Sequence, residues 1–322
     1  MPHKVSVIVV NYNGMPHLDA CVSSILKQSY ANFEVIFVDN DSSDESLEYA
    51  RNKFPDLTFV ANEENSGYPG GINSGLAYAT GDYIAPLNID TEVAANWLSA
   101  MVKFLDENPQ VGAVTPKILL FGDRDKINAK GLNIHVTGLG FCRGLGKKDD
   151  NSTSPERVSG VSGCSYLIRR EILEQMGGAP EECFMGNDDV IVSWQVNLMG
   201  YELYCVPEAV VYHKYTLKMN PAKLYSLEKN RLVLLLSTLK STTRVACFLI
   251  FAIIELLIIG YSLLKGKAYL KAKFHAYSSV CKEKDVISQK RDRYRKLRKI
   301  SDFDLLRRLN WNLPWDQLTH IL

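Results

Sequence analysis

The sequence predicts an α/β protein: a doubly wound, mainly parallel sheet followed by a C-terminal helical appendage. Two runs of consecutive apolar and mostly β-branched residues, 5–10 and 35–38, are typical of strands that are covered on both faces. Between them, apolar residues recur at helical spacing over residues 18–28, which completes a βαβ unit. We therefore predict a sheet domain over residues 1–220 and a helical region over residues 221–322.

The alternation of strand and helix patterns continues along the chain. Residues 121–155 interrupt it with Gly, Asp, Lys and Ser, which predicts an irregular or hairpin insertion. Before the insertion, the patterns predict helices over 43–53, 70–79 and 94–107 and strands over 57–60, 83–87 and 111–115. After it, they predict a strand over 165–169, a helix over 188–199, and two short strands over 203–206 and 209–212.

The C-terminal region combines an apolar stretch with a basic tail. Residues 245–264 are long enough to cross a hydrocarbon core of ~30 Å, but Glu255 lies near their middle. A spanning helix, an in-plane or re-entrant helix, and a packed helix all remain open. Residues 265–308 carry 15 Lys or Arg against 5 Asp or Glu. This favours an anionic membrane surface over nucleic acid as partner, because no nucleic-acid-binding motif is present.

Cysteine usage and the N-terminus place the body of the chain in the cytoplasm. The seven cysteines include no Cys-x-x-Cys pair, so the sequence indicates neither a zinc site nor a disulfide framework. The first apolar run is too short for a signal peptide. With the basic tail, this predicts a location at the cytoplasmic face of the cell membrane, peripheral or with one hydrophobic segment.

Polar residues follow three predicted strands, at the edge where an open α/β sheet binds ligands. Asn11-Tyr12-Asn13 follows the first strand and Asp39 the second, without a dinucleotide fingerprint or a P-loop. Asp39 could accept a hydrogen bond from a nucleotide base, and Tyr12 could stack on it. The alternative for Asp39 is a turn or N-cap, a role that Ser42 or Ser43 could fill equally well.

Acidic residues further along the chain suggest a metal and a general base. Asn88-Ile89-Asp90 puts two oxygen-bearing side chains on one side of an extended segment, from which Asp90 could reach a divalent cation; a plain turn is the alternative. Asp188 and Asp189 begin a predicted helix. There they either interact favourably with the helix dipole or supply a general base. His213 ends an apolar strand and is either structural or a metal ligand.

A glycine-rich segment, residues 65–75, leads into the third predicted helix, over residues 70–79. Backbone N–H groups there could meet a diphosphate. The alternative is that its glycines serve turns and close packing of helix on strand.

Six blocks in order resemble family 2 glycosyltransferases, and in particular their rhamnosyltransferase-like branch. The blocks are VSVIVVNYNG, FEVIFVDNDSSDES, NSGYPGGINSGL, GDYIAPLNIDTEV, SGCSYLIRREIL and residues 188–213. The resemblance implies a GT-A fold of the nucleotide-diphospho-sugar transferase type, inversion at the anomeric carbon, and a Mg²⁺ or Mn²⁺ ion.

The resemblance also implies roles for individual residues. Asp39 matches the family's base-binding Asp, Asp90 its metal-binding Asp, and Asp189, next to Asp188, its catalytic base. His213 matches a histidine that approaches the metal. The remaining residues predicted to bind the nucleotide sugar are Val10, Tyr12, Gly67, Gly71, Asn73 and Asn88.

The chain departs from the family pattern around the proposed base. Relatives often follow the Glu-Asp pair with Val-Asp-Leu and then Arg, where this chain has Val190-Ile191-Val192 and Gln195. The family's Phe-Asp-Glu is Ala179-Pro180-Glu181 here. These departures suggest altered acceptor or phosphate contacts.

The predicted function is transfer of a sugar from a UDP-, dTDP- or GDP-linked donor to a hydroxyl of a glycan or polyprenyl-linked saccharide. A sugar-phosphate nucleotidyltransferase is a rival, but residues 11–17 lack the Gly-rich, basic loop that it needs. A non-catalytic scaffold of the same fold is the other rival, motivated by Asn88, Ile191 and Gln195.

Overall fold

The computed structural model describes residues 2–184, 186–215, 219–315 and 317. Its strands are β1 (Val5–Asn11), β2 (Phe33–Asp39), β3 (Thr58–Ala61), β4 (Tyr83–Asn88), β5 (Thr91–Val93), β6 (Val111–Leu120), β7 (Asp123–Ala129), β8 (Leu132–Ile134), β9 (Gly140–Cys142), β10 (Glu156–Arg157), β11 (Leu167–Arg169) and β12 (Glu202–His213). Its helices are α1 (Met15–Ile25), α2 (Ser46–Lys53), α3 (Gly67–Leu76), α4 (Trp97–Glu107), α5 (Arg170–Gln175), α6 (Asp188–Leu198), α7 (Pro221–Thr238), α8 (Ser241–Ala246), α9 (Phe248–Lys265), α10 (Lys267–Lys282), α11 (Lys284–Leu297) and α12 (Asp302–Arg308).

One mixed sheet forms the centre of the molecule. Its strands follow the order β10-β12-β6-β11-β4-β1-β2-β3. β3, β2, β1 and β4 are parallel, and so is the pair of β6 and β12, whereas β11 runs antiparallel to β4 and β6. The predicted α/β sheet is therefore confirmed. The antiparallel pairs, which join its two parallel parts and extend one side, make it mixed rather than mainly parallel.

Helices cover both faces of the sheet, which explains why its central strands read as unbroken apolar runs. On one face, α1, α2 and α4 contribute Leu18, Ala50 and Leu98 to a buried cluster. On the other, α3 and α6 contribute Ile72 and Val196 to a second cluster. The sheet edge at the carboxyl ends of β1, β2 and β4 is left for polar residues.

Several element bounds differ from the sequence prediction. β12 is a single strand, not two, because a register shift between Val206 and Val210 lets it continue past the irregular stretch. β6 runs to Leu120, five residues beyond the prediction, since β7 folds back onto it as a hairpin. The insertion is thus partly regular. β5 and α5 were not predicted, and both are short.

The C-terminal helices pack against the sheet domain through α6. Trp194 and Leu198 of α6 are fully buried, in a cluster that also contains Leu234 of α7, Tyr294 of α11 and Leu305 of α12. α6 is therefore covered on two sides, by the sheet and by the C-terminal helices.

Glu255, which interrupts the apolar stretch, takes part in a buried charge network. Its carboxylate pairs with Arg231 of α7 and, at 2.6 Å, with Lys273 of α10, and it accepts a hydrogen bond from Tyr277. Arg231 and Lys273 also pair with Glu228. Two cations and two anions thus balance, which is the condition for keeping such groups in a low-dielectric interior.

The rest of α9 is apolar and largely exposed. It is the one helix in the described part of the chain that is long and apolar enough to cross a membrane, judged by length and composition. Its exposed side chains include Phe248, Leu249, Ile253, Leu256 and Leu264.

Candidate functional site

The ends of β1, β2 and β4 bring the first group of predicted residues together. The register pairs Asn11 with Asp39 and Val10 with Asn88. Tyr12, which follows β1, has 52% of its surface exposed, as a stacking platform requires. The structure thus forms the predicted cluster at the carboxyl edge of the sheet.

Asp39 is buried, and its carboxylate is partly occupied. Oδ1 accepts from Nδ2 of Asn11 at 2.8 Å, and Oδ2 accepts from the backbone N–H of Ser42 at 3.1 Å. A carboxylate offers about four acceptor positions, so these two bonds leave capacity for a ligand. The turn alternative for Asp39 is thus present, in its bond to Ser42, whereas neither Ser42 nor Ser43 caps the next helix. α2 begins later, at Ser46, and has no side-chain cap.

The glycine-rich segment lies inside a helix, not ahead of one. α3 begins at Gly67, three residues before the predicted start. Gly67 has φ = +74°, and a Cβ there would lie 2.2 Å from the carbonyl oxygen of Phe184. A Cβ on Gly71 would lie 2.5 Å from Cγ1 of Val10. Close packing therefore requires both glycines, and Val10 forms the strand side of that contact.

Asn73 holds a loop rather than facing an open cleft. Its Nδ2 donates to the carbonyl of Ala179 at 2.9 Å and to Oε1 of Glu181 at 2.7 Å. Its Oδ1 accepts from the N–H of Ala179 at 2.7 Å. Because both the nitrogen and the oxygen of its amide are hydrogen-bonded, Asn73 would have to give up these partners to contact a nucleotide sugar.

Asp90 and His213 face one another at the end of β4. Oδ1 of Asp90 lies 3.3 Å from Nε2 of His213. The other imidazole nitrogen, Nδ1, donates to Oδ1 of Asn128 at 2.8 Å. Since an amide oxygen only accepts, Asn128 keeps a proton on Nδ1, and the ring orientation directs Nε2 at Asp90. Asn128 lies on β7, within the insertion, and no feature of the sequence indicated this role.

The Asp90–His213 pair has shifted proton affinities. Burial disfavours the charged form of Asp90, but the hydrogen bond and charge of His213 outweigh it and lower the pKa of Asp90. Burial likewise opposes the charged form of His213, while Cys164 and Asp90 raise the pKa of His213 to about 10. A metal ligand must be a neutral imidazole, so cation binding here would release a proton.

The donor set fits a hard or borderline divalent cation. Among the residues that the structure describes, no group of three His, Cys, Asp or Glu side chains forms a complete metal cage. One carboxylate and one imidazole are nevertheless typical of ions that take their other ligands from substrate phosphates and water. Asp90 and His213 therefore fit Mg²⁺ or Mn²⁺ bound together with a diphosphate.

Asp188 and Asp189 begin α6, at the predicted position. Oδ2 of Asp189 accepts from the backbone N–H of Gly163 at 3.1 Å. A Cβ on Gly163 would lie within 3.5 Å of both carboxylates. Burial raises the pKa of Asp189, and burial together with the charge of Asp189 raises the pKa of Asp188. A carboxylate with a raised pKa is a stronger base than an exposed one.

The loop formed by residues 162–165 connects the two acidic groups. Its Gly163 holds Asp189, and the carbonyl of Cys164 accepts from the N–H of Asn88 at 3.0 Å. The carbonyl of Gly163 also accepts from the hydroxyl of Tyr68 in α3, at 3.1 Å. This loop was recognised as part of a sequence block, but its linking role depends on contacts between distant segments.

Lys214 and His17 flank Asp90 and were not predicted. The backbone N–H of Lys214 donates to the carbonyl of Asp90 at 3.0 Å, and its Nζ donates to Nδ1 of His17 at 2.9 Å. Burial, followed by the charge of Lys214, lowers the pKa of His17. The ammonium group of Lys214 is thus held at His17, and its backbone binds that of Asp90. The sequence indicated a place for Lys214 near the site only because Lys214 directly follows His213.

The departures around the proposed base contact the C-terminal helices. Ile191 belongs to the cluster shared with α7, α11 and α12. Nε2 of Gln195 lies 3.5 Å from the hydroxyl of Tyr294 in α11. Both side chains therefore pack on the side of α6 that the C-terminal helices cover. This contact gives a structural reason for the two departures from the family pattern.

Comparison with known proteins identifies a family and a fold. The sequence model described as glycosyl transferase family 2 matches residues 6–177. The poly-β-1,6-N-acetyl-D-glucosamine synthase of Staphylococcus epidermidis is 27% identical over 210 residues, which cover 64% of this chain and 48% of the synthase. The chain thus spans about half the length of the curated relatives it matches.

Solved structures agree on the fold. The structure of S. aureus TarS 1–349 in complex with UDP-GlcNAc superposes with a TM-score of 0.59 at 19% identity, covering 91% of this chain and 90% of that fragment. The mannosyltransferase PcManGT from Pyrobaculum calidifontis, in complex with GDP-Man and Mn²⁺, gives 0.55 at 21% identity, covering 99% and 79%. These likenesses confirm the predicted GT-A fold.

Proposed function

The chain belongs to glycosyl transferase family 2, and we propose that it is an inverting, metal-dependent enzyme that transfers a sugar from a nucleotide-sugar donor. One observation carries this proposal. The loop of residues 162–165 holds Asp189 through Gly163 and the end of β4 through Cys164. A base and a diphosphate site are thereby fixed on either side of one short segment, as direct displacement requires.

The donor nucleotide would bind at the carboxyl ends of β1 and β2. Tyr12 would stack on the base, and the free acceptor positions of Asp39 would take a base N–H. The donor class is a UDP-, dTDP- or GDP-sugar. The TarS structure contains UDP-GlcNAc and the PcManGT structure contains GDP-Man, which supports a nucleoside diphosphate sugar without choosing among the bases.

The diphosphate would lie at Asp90. Asp90 and His213 would hold Mg²⁺ or Mn²⁺, which when bound offsets the negative charge that builds on the leaving diphosphate. Asn128 keeps the His213 ring in its binding orientation. Lys214, whose backbone N–H donates to the carbonyl of Asp90, would bring a further positive charge to the leaving group if its Nζ left His17. Asn88 can add a neutral oxygen only.

Asp189 would act as the general base. The acceptor hydroxyl oxygen forms a bond to the anomeric carbon, its proton passes to Asp189, and the bond from that carbon to the diphosphate breaks. The electron pair leaves with the nucleoside diphosphate, and attack opposite the leaving group inverts the anomeric centre. Asp188 lies beside it at the start of α6, and the charge of Asp189 helps to raise the pKa of Asp188.

The acceptor is proposed to be a glycan or polyprenyl-linked saccharide at the cytoplasmic face of the cell membrane. The support is the exposed apolar face of α9, followed by the basic tail of residues 265–308. Because Glu255 is bound to Arg231 and Lys273, we place α9 in the membrane surface rather than across it. In this proposal residues 1–220 are the catalytic domain and residues 221–322 the membrane-associating region.

Thermal denaturation of the full chain tests the donor site. We expect one of UDP, GDP or dTDP to raise the melting temperature in the presence of Mn²⁺ but not of a chelator. A ligand at 100 times its dissociation constant adds ~2.7 kcal/mol to the free energy of unfolding. The Asp90→Asn variant should lose the Mn²⁺-dependent part.

Turnover then separates an enzyme from a scaffold. The nucleotide sugar that corresponds to the stabilising nucleotide should be hydrolysed slowly in the absence of acceptor. Stabilisation without release of nucleoside diphosphate, across donors and with both metals, would favour the non-catalytic scaffold.

A further inference from the structure

An apolar groove lies between α7 and α9, beside the hairpin of β8 and β9. It encloses a cavity of about 430 Å³, within the range of pockets that hold small organic ligands. Its walls include Leu224 and Leu227 of α7, Leu257 and Tyr261 of α9, and Phe141 of β9. We call this the α7–α9 groove.

One end of the α7–α9 groove reaches the proposed base. Asn187, the residue before Asp188, lines the groove, and its Nδ2 donates to the carbonyl of Leu227 at 3.0 Å. Lys223, in the first turn of α7, directly precedes Leu224 of the groove wall and lies one helical turn before Leu227, which binds Asn187. Its charge lowers the pKa of Asp189, against the effect of burial. A cationic residue therefore lies at the end of α7 that is next to Asn187 and the proposed base.

The other end opens onto the exposed apolar face of α9. Leu256 and Leu264, which line the groove, are 68% and 81% exposed. They continue an apolar surface that includes Leu249 and Ile253. An apolar chain could therefore pass from a membrane into the groove without crossing a polar surface.

We propose that the α7–α9 groove binds the isoprenoid chain of a polyprenyl-phosphate-linked acceptor, with the phosphate beside Lys223 and the saccharide directed at Asp189. Three features select this occupant: apolar walls for the chain, a cation at the inner end for the phosphate, and an outlet at the membrane-facing helix. The proposal rests on the proposed transferase function, because it supplies that reaction with its acceptor.

Photolabelling of the full chain with a photoreactive farnesyl phosphate tests the groove independently of turnover. Leu257→Trp narrows the groove from α9. Gly260→Phe does the same with little strain, because Gly260 lines the groove and a Cβ there meets no atom within 4 Å. The matched control is Leu249→Trp, on the exposed face of the same helix and outside the groove.

We expect labelled peptides from α7 and the groove side of α9, displaced by unlabelled farnesyl phosphate. Both filling variants should reduce labelling at least fivefold, and Leu249→Trp should not. Labelling confined to the outer face of α9, or unchanged by both filling variants, would overturn the proposal. Equal displacement by dioleoyl phosphatidic acid would overturn the assignment to a prenyl chain.

A kinetic comparison links the groove to transfer. Filling variants should raise KM for a farnesyl-phosphate-linked saccharide but leave acceptor-free donor hydrolysis unchanged. An equal rise in KM for a free saccharide acceptor would contradict the proposal. If no nucleotide binds or is hydrolysed, the transferase function fails while the photolabelling result still stands by itself.

Discussion

Nδ1 of His213 lies 2.8 Å from Oδ1 of Asn128, on a strand 85 residues away in the sequence. The contact keeps a proton on Nδ1 and orients the ring so that Nε2 faces Asp90. Nε2 is then the nitrogen that could bind a cation after losing its proton. A residue of the insertion thus orients a proposed metal ligand that faces Asp90, at the end of β4.

We expect Asn128→Ala to weaken Mn²⁺ binding by ~10 to 100-fold, the usual effect of losing such a supporting hydrogen bond. The measurement is the Mn²⁺ concentration that gives half of the nucleotide-dependent rise in melting temperature. Asn52→Ala, at an exposed position of α2, is the control. An unchanged Mn²⁺ requirement in a folded Asn128→Ala protein would show that the contact does not prepare the ligand.

Asp189→Asn should reduce transfer by ~10² to 10⁴-fold, the contribution of a general base. The amide oxygen can still accept from Gly163, so nucleotide binding and folding should be retained. Asp188→Asn should lose less activity, since Asp188 is not placed as the proton acceptor. The kcat of each variant, with Asp56→Asn as an exposed control, checks this order. If Asp188→Asn were the more damaging change, the base would have to be reassigned.

Stability should depend on pH through Asp188. Burial and the charge of Asp189 raise the pKa of Asp188 in the folded protein, so the folded state holds this proton more tightly than the unfolded state. Its favourable contribution is complete below the unfolded pKa of ~3.9 and disappears as pH rises through the folded value. The advantage of Asp188→Asn in melting temperature should therefore grow from pH 4 to pH 8. A difference that stays constant over that range contradicts the shift.

Glu255→Gln should destabilise the protein by ~3 kcal/mol or more, because removing one member of a buried ion-pair network leaves an opposite charge unpaired. Here the remaining charges would be Arg231 and Lys273 against Glu228 alone. Chemical denaturation of the unaltered protein and of Glu255→Gln gives the difference in the free energy of unfolding. Glu64→Gln, at an exposed position, should have little effect. Equal stability of the two variants would mean that the network does not hold α9 in place.

The alternation of the sheet domain could be predicted because strands covered on both faces are apolar at every position. The strand-end residues followed from the same pattern, and Asp39 and Asn88 do lie at one edge. Bounds were less predictable where long-range pairing decides them. β12 crosses its irregular stretch because it pairs with β6, and no local signal reveals that partner.

The parts of the candidate site that could not be predicted are long-range side-chain contacts. Asn128, Lys214 and the loop of residues 162–165 contact residues far away in the sequence. In the glycine-rich segment, by contrast, the sequence predicted a binding role for residues that the structure uses for packing. Its composition fitted a phosphate loop, but Gly71 is a glycine because Val10 fills the space that a side chain would need.

The two covered sides of α6 have a consequence for truncation. A chain cut after Asn220 would keep every residue that we propose for donor binding and proton transfer. It would also strip the partners from Trp194 and Leu198, on the helix that begins with Asp188 and Asp189. In such a fragment, an apolar surface of α6 next to the proposed base would be exposed to solvent. We therefore expect a protein that ends at that point to aggregate instead of forming a soluble transferase.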